Sequence, residues 1–243
     1  MHWHIMEGEA GCRYAVEHHG VAVVVDALRA SATAAMLLGA GARELLVVRE
    51  VEDAFAAKRA WPDALLFGER GGLPPEGFDY GNSPRDAAAA KNRRVIFTTT
   101  TGAQRCIAAW GAAAVLMGST VNAQAVIRAA RRLDAEVVLI PAGLYADPAF
   151  DAQEDWAAAV AIAMQASVAI GEGRDRFQYW RARIEQEGIP ALFASAPHAE
   201  KLRRIHLDAD IAYCAQRDLT AAVPKAVDRL EWGVRMIAEP PVP

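Results

Sequence analysis

Two side chains that could do chemistry follow the apolar run VAVVV. Asp26 comes directly after this run, and Arg29 lies one helical turn later. At the carboxyl end of a buried parallel strand, an aspartate can ligate a metal or act as a base. The planar guanidinium of an arginine can bind phosphate or carboxylate. An aspartate here can equally cap the following helix, and the sequence favours neither role for Asp26.

A second group of polar residues lies in the segment GERGGLPPEGFDYGNSP, residues 68–84. Its five glycines and three prolines exclude a helix or a central strand. The segment therefore predicts a long loop, and long loops in compact domains are usually functional or disordered. Glu69 can bind a cation and Arg70 an anion, although a solvated ion pair between them would be worth little. Asn82 and Ser83 end the loop, just before a predicted helix.

Four threonines, Thr98, Thr99, Thr100 and Thr101, stand between a predicted strand and a helix that begins at Gly102. Their hydroxyl groups and the unpaired amides of a helix N-terminus can bind an anion. The alternative is a structural role, because threonine favours strands. The segment is not a P-loop, since no lysine follows the glycine.

Two adjacent acids, Glu154 and Asp155, open a long predicted helix. Acidic residues in a first helical turn are stabilised by the helix dipole, so a structural role is the simpler interpretation. The carboxylates, arginines, hydroxyls and free amides at the predicted strand ends nevertheless suit a divalent cation together with a phosphorylated small molecule.

The order of the strands and helices that must position these residues indicates an α/β fold. Short apolar runs alternate with helix-forming segments up to about residue 170, which indicates three α/β/α layers around a mostly parallel sheet, followed by a helix-rich C-terminal part. The predicted strands are Val21–Val25, Glu44–Val48, Ala64–Phe67, Arg94–Thr98, Ala114–Met117, Glu136–Ile140 and a last one at Ile211–Cys214. The predicted helices are Ala30–Gly39, Val51–Ala60, Ser83–Ala90, Gly102–Trp110, Asn122–Leu133, Glu154–Ile170, Asp175–Glu187, Pro197–Arg204 and a last one at Pro224–Met236.

The composition predicts one soluble cytoplasmic domain over residues 1–243. With 53% hydrophobic residues the chain can bury a full core, and its net charge of -4 offers no basic surface for nucleic acid. No apolar stretch reaches the roughly 18 residues that cross a membrane, and the N-terminus does not resemble a signal peptide. The three cysteines are widely spaced and indicate neither disulfides nor a zinc site.

The chain resembles the 2-phosphosulfolactate phosphatase (ComB-like) family over nearly its whole length. The matching motifs are VVVDALRASATAA around Asp26, GERGG at 68–72, GFDYGNSP at 77–84, TTTTG at 98–102, GSTVNA at 118–123, and AG at 142–143 followed by Glu154 and Asp155. Near the C-terminus, Asp210-Ile211 through Cys214, Asp218 and Val223-Pro224 also match. The resemblance implies this family's distinctive α/β fold and a Mg²⁺-dependent phosphatase. The reaction that it implies releases phosphate from 2-phospho-3-sulfolactate and gives sulfolactate for coenzyme M formation.

Roles follow from these motifs as hypotheses. The candidate catalytic residues are Asp26, Arg29, Glu69 and Arg70, the candidate substrate-binding residues are Asn82, Ser83, Thr98, Thr99, Thr100 and Gly102, and the candidate Mg²⁺ ligands are Asp26, Glu69 and Asp155. Asp26 is the first choice for the nucleophile or base. The family typically has asparagine where this chain has Thr101, and threonine where it has Ala103. A hydroxyl is shorter than an amide and donates only once, so the identity of the acid that is hydrolysed stays open.

Two other functions compete with the phosphatase. One is a non-catalytic module that binds an anionic metabolite on the same loops. The other is a nucleotide-binding enzyme, which the lack of a Gly-x-Gly-x-x-Gly motif after Val25 disfavours. The expected partner is a small phosphorylated anion rather than nucleic acid or a membrane, and a homodimer is compatible with the sequence.

Overall fold

The computed structural model describes residues 2–147 and 149–239, and its framework is a nine-stranded sheet. The strands are β1 Trp3–Ile5, β2 Val21–Val25, β3 Glu44–Val48, β4 Leu65–Gly68, β5 Arg94–Thr98, β6 Ala114–Met117, β7 Val137–Pro141, β8 Val223–Arg229 and β9 Gly233–Glu239. The helices are α1 Gly8–Glu17, α2 Ala30–Gly39, α3 Val51–Ala60, α4 Gly102–Ala108, α5 Ala123–Arg131, α6 Gln153–Ala166, α7 Arg174–Glu187, α8 Ile189–Ala194, α9 Pro197–Arg204 and α10 Asp208–Cys214. Short 3₁₀ helices cover Pro84–Ala90 and Thr120–Asn122.

The sheet consists of two parallel blocks joined by an antiparallel hairpin. Its strand order is β1-β7-β2-β6-β8-β9-β3-β5-β4. The first four strands are parallel to one another, as are the last three, whereas β8 and β9 are antiparallel to each other and to their outer neighbours. Adjacent strands in a sheet are twisted relative to each other by roughly 20–25°. Five such strand-to-strand steps separate β2 from β5, so the strand direction turns by roughly 100–125° between them. This twist lets the carboxyl ends of two oppositely directed blocks approach each other.

Helices cover both faces of the sheet, which confirms the predicted three-layer α/β/α architecture. On β2, Val21, Val23 and Val25 pack into a core shared with α5 and α6. Ala22 and Val24 face the opposite core, which is shared with α1, α2 and α4. Because both faces of this strand are buried, its sequence is continuously apolar rather than alternating.

Two predictions for the C-terminal part are wrong. The segment Ile211–Cys214, predicted as a strand, lies in helix α10, which begins at Asp208 and carries two acidic residues in its first turn. The segment Pro224–Met236, predicted as a helix, forms the hairpin β8–β9 instead. Its lysine, arginine, leucine and methionine residues favour a helix locally, but the gap between the two parallel blocks provides strand partners that outweigh this preference.

The N-terminal elements β1 and α1 and the short helix α8 are further elements beyond those predicted. β1 extends the first block by pairing with β7, so it lies at an edge of the sheet. Among the residues that the structure describes, no helix is both long and apolar enough to span a membrane.

Candidate active site

A cavity of about 140 Å³ lies where the ends of β2, β4 and β5 meet helix α9. Its walls combine acidic residues from the strand ends with basic and apolar residues from the helices. The lining residues are Asp26, Leu28, Arg29, Glu69, Gly71, Gly72, Asn82, Thr100, Thr101, Gly143, Leu144, Phe150, Asp155, His198, Lys201, Leu202 and Ile205. The structure thus brings together the three acids, Asp26, Glu69 and Asp155, that the sequence proposes as metal ligands.

Asp26 both caps helix α2 and lines the cavity. Its Oδ1 accepts a hydrogen bond from the amide of Ala30 at 3.0 Å, which is the capping role considered above. A Cβ atom on Gly102 would lie only 2.8 Å from Oδ2 of Asp26, so this close approach requires glycine. Burial raises the pKa of Asp26 to about 6, because the opposing hydrogen bond from Ala30 and the charge of His198 only partly offset the loss of solvation.

Asp155 is held by two backbone amides from different loops. Its Oδ1 accepts from Ala27 at 2.7 Å and its Oδ2 accepts from Gly143 at 3.1 Å. Burial, followed by the charges of Glu154 and Asp26, raises the pKa of Asp155 well above its usual range despite these amide donors. Asp155 therefore orients the loops that follow β2 and β7 and places a carboxyl group at the cavity wall.

Glu69 organises the start of the long loop. Its Oε1 accepts from the amide of Thr100 at 2.7 Å, and its Oε2 accepts from the amide of Gly72 at 2.8 Å. Gly72 has a φ of +90°, a conformation that other residues rarely adopt, and a Cβ there would lie 2.6 Å from Ile205. The GERGG motif is therefore a turn built around the carboxylate of Glu69.

Arg29 is part of a buried ion-pair network rather than an unpaired cation. Its Nη1 donates to Oδ2 of Asp210 at 2.6 Å, and its Nη2 donates to the carbonyl of Gly72 at 2.8 Å. Oδ1 of Asp210 accepts from the hydroxyl of Ser83 at 2.8 Å. This network connects both ends of the loop, Gly72 and Ser83, to helices α2 and α10.

Arg70 and Thr98 belong to the framework behind the cavity. Arg70 donates to the carbonyl groups of Glu69 and Arg49 and to the hydroxyl of Thr98, at 2.7, 2.8 and 3.0 Å. The hydroxyl of Thr98 donates to the carbonyl of Arg49 at 3.0 Å. Neither side chain is among the described residues that line the cavity. Their contacts fasten the ends of β3, β4 and β5 to one another.

The other threonines also have protein partners. The hydroxyl of Thr99 accepts from the amide of Ala103 at 3.1 Å, and the hydroxyl of Thr101 accepts from the amide of Tyr145 at 3.2 Å. The amide of Thr100, which the sequence offers as a hydrogen-bond donor to an anion, donates to the carboxylate of Glu69 instead. Thr100 and Thr101 line the cavity, whereas Thr99 contributes to the start of α4. The anion-binding role of this segment stays a prediction.

The donor set fits Mg²⁺ that is shared with a substrate. Three carboxyl groups face the cavity, and the side-chain Oδ1 of Asn82 on its wall has no hydrogen-bond partner among residues 2–147 and 149–239. In the same ranges, no three His, Cys, Asp or Glu side chains form a cluster that could hold a metal by itself. Mg²⁺ prefers oxygen ligands and is usually held by one or two carboxylates, waters and substrate phosphate, so such a cluster is not required.

Two basic residues of helix α9 were not predicted from the sequence. His198 lies 3.3 Å from Oε1 of the buried Glu154 through its Nδ1 atom. Lys201 packs with its Nζ 4.5 Å from the centre of the Phe150 ring and has no ion-pair partner within the described part of the chain. These residues do not follow a predicted strand, so the rule that points to strand ends does not identify them. Only the packing of α9 against the loops brings them to the cavity.

Comparison with known proteins places the chain in a family. The family model for 2-phosphosulpholactate phosphatase matches residues 11–229. Relatives described as probable 2-phosphosulfolactate phosphatase occur in Thermus thermophilus, with 38% identity over 84% of this chain and 86% of the relative, and in Deinococcus radiodurans, with 37% identity over 85% and 88%. A third, from Carboxydothermus hydrogenoformans, is 34% identical over 84% of both chains. The chain therefore belongs to the 2-phosphosulfolactate phosphatase family.

Proposed function

We propose that this protein is a Mg²⁺-dependent phosphatase that hydrolyses 2-phospho-3-sulfolactate to 3-sulfolactate and phosphate. The convergence of Asp26, Glu69 and Asp155 at one cavity is the observation that carries the proposal. Family membership supports the reaction class, because the relatives bear the name of this phosphatase. The basic residues His198 and Lys201 on the facing wall suit a substrate that carries a phosphate, a sulfonate and a carboxylate group.

Charge balance supports the requirement for a divalent cation. Of the basic residues at the cavity, Arg29 is paired with Asp210 and His198 with Glu154, so within the described residues Lys201 is the cavity cation that has no carboxylate partner. A phosphate group that approaches Asp26 would meet like charge, and burying unpaired charges is costly. With Asp26 as the base, Glu69 and Asp155 would hold the ion, which would neutralise phosphate charge as it develops in the transition state.

Asp26 is placed to act as the general base toward an attacking water. Its Oδ1 is fixed by the amide of Ala30, so Oδ2 is the oxygen that can accept a proton at the cavity. The pKa of about 6 makes the carboxyl group mostly ionised at neutral pH, yet more basic than an ordinary aspartate. Asp155 and Glu69 meanwhile hold the surrounding loops by accepting hydrogen bonds from backbone amides.

A phosphate-release assay tests this function. The purified protein is offered 2-phospho-3-sulfolactate and a panel of other phosphorylated hydroxy acids, with Mg²⁺ or with EDTA. We expect Mg²⁺-dependent release that is highest for 2-phospho-3-sulfolactate and that falls roughly 10²–10⁴-fold in Asp26→Asn, the range typical of a lost general base. Asp63→Asn, a change at an exposed site, is the matched control. Ligand-induced thermal stabilisation without any phosphate release would instead indicate a metabolite-binding module.

A further inference from the structure

The pair formed by His198 and Glu154 has the arrangement of a proton donor and its orienting carboxylate. His198 lies on α9, lines the cavity and keeps 35% of its side chain exposed. Glu154 lies at the start of α6 with only 2% of its side chain exposed. The ring of Phe150 contacts the imidazole edge-on, with 6.5 Å between the ring centres, so two elements besides α9 restrict the orientation of His198.

The contact with Glu154 determines which imidazole nitrogen is available. Nδ1 lies 3.3 Å from Oε1 of Glu154, so Nε2 is the nitrogen that can reach a group in the cavity. Oε2 of Glu154 has no hydrogen-bond partner in the described part of the chain, so the polar contact of this buried carboxylate there is the one between Oε1 and His198. A carboxylate in this position orients an imidazole and stabilises its protonated form.

The surrounding carboxylates favour the protonated form of the imidazole. Burial lowers the pKa of His198, but the hydrogen bond and the charge of Glu154, together with the charges of Asp26 and Glu69, more than offset it and raise the pKa overall. The basic residues Lys201 and Arg29 line the same cavity. An imidazole whose protonated form is favoured therefore lines the same cavity as Asp26 and Glu69.

We propose that His198 is the general acid of the reaction and that Glu154 is its positioning residue. This inference rests on the proposed phosphatase function. The oxygen of water forms a bond to phosphorus while its proton passes to Asp26. The ester bond between phosphorus and the alcohol oxygen breaks, and its electron pair stays on that oxygen, which takes the proton from Nε2 of His198. The alcohol and phosphate leave, and Asp26 and His198 return to their starting states by exchange of one proton through solvent.

Leaving-group dependence distinguishes a general acid from a binding residue. An aliphatic alkoxide needs a proton to leave, whereas p-nitrophenolate does not. We expect His198→Gln to lower kcat for 2-phospho-3-sulfolactate by roughly 10²–10⁴-fold but to change kcat for p-nitrophenyl phosphate by less than about threefold. His206→Gln, at an exposed position of the next turn, is the control. An equal loss on both substrates, or a change in KM alone, would overturn the proposal.

Glu154→Gln supplies a second measurement that does not depend on activity. We expect the NMR titration of the His198 imidazole to lie above the ordinary histidine value in the wild type and to move to lower pH in Glu154→Gln. The basic limb of the kcat profile should shift in the same direction. If the His198 imidazole titrated at the ordinary histidine value in both proteins, the pairing with Glu154 would be refuted. If the wild type released no phosphate from any ester, the proposed function would fail, and the titration would still decide whether the pair exists.

Discussion

Replacing Asp210 by Asn should destabilise the protein strongly, because it leaves a buried arginine charge unpaired. The side chains of Arg29 and Asp210 are 2% and 1% exposed, and their atoms Nη1 and Oδ2 are 2.6 Å apart. Removing one partner of such a pair typically costs about 3–5 kcal/mol, a large share of the roughly 5–15 kcal/mol that stabilises a domain. We therefore expect Asp210→Asn to lower the free energy of unfolding by about 3 kcal/mol or more.

Urea denaturation at constant pH measures this loss as a lower midpoint at an unchanged slope. The exposed pair Arg181–Glu185, with 2.8 Å between its atoms, provides the control. Glu185→Gln should change the free energy of unfolding by no more than about 0.5 kcal/mol. Combining Arg29→Met with Asp210→Leu removes both charges and should restore part of the stability lost in Asp210→Asn. A loss below about 1 kcal/mol in Asp210→Asn would refute the conclusion that the buried charge of Arg29 depends on Asp210.

Two further predictions concern close packing and a buried histidine. Gly102→Ala should lower kcat more than Gly81→Ala, because its Cβ would lie 2.8 Å from Oδ2 of Asp26, whereas a Cβ at Gly81 meets no atom closer than 3.6 Å. Equal kinetics in the two variants would contradict this explanation. Burial lowers the pKa of His4, whose Nδ1 accepts from the amide of Glu172 at 3.0 Å. The unfolded chain therefore binds more protons, and stability should fall as the pH drops below about 6.5. Thermal melts should show a smaller decrease in His4→Gln, and an identical decrease would exclude His4 as its source.

Local sequence predicts the elements of the parallel blocks well. Val21–Val25, Glu44–Val48 and Arg94–Thr98 were predicted with their observed bounds, because continuous apolar runs between helix-forming segments are typical of strands buried on both faces. The hairpin β8–β9 could not be predicted in this way. Its stability comes from pairing with β6 and β3, which lie more than a hundred residues earlier, and these contacts leave no local periodic signal.

The acidic side of the candidate site was also predictable. Asp26 and Glu69 follow strands, and the rule that binding residues gather at carboxyl ends of strands identifies them. His198 lies on a helix of the C-terminal part, where a single histidine has no distinguishing spacing. Asp210 belongs to a stretch that matches the family, but the match assigns it no role. Only the fold shows that one faces the cavity and that the other binds Arg29.

The C-terminal helices complete the cavity rather than merely cover it. The strand ends supply carboxyl groups, which by themselves would repel a phosphorylated acid. Helix α9 adds His198 and Lys201 to the lining. Asp210 of α10 is paired with Arg29, so this arginine is not free to bind a substrate. A substrate bound between the two walls would direct its phosphate toward the acids through a metal ion and its other anionic groups toward α9. If the proposed function holds, this division of charge would orient the substrate, with its phosphate at the strand-end acids and its other anionic groups near Lys201.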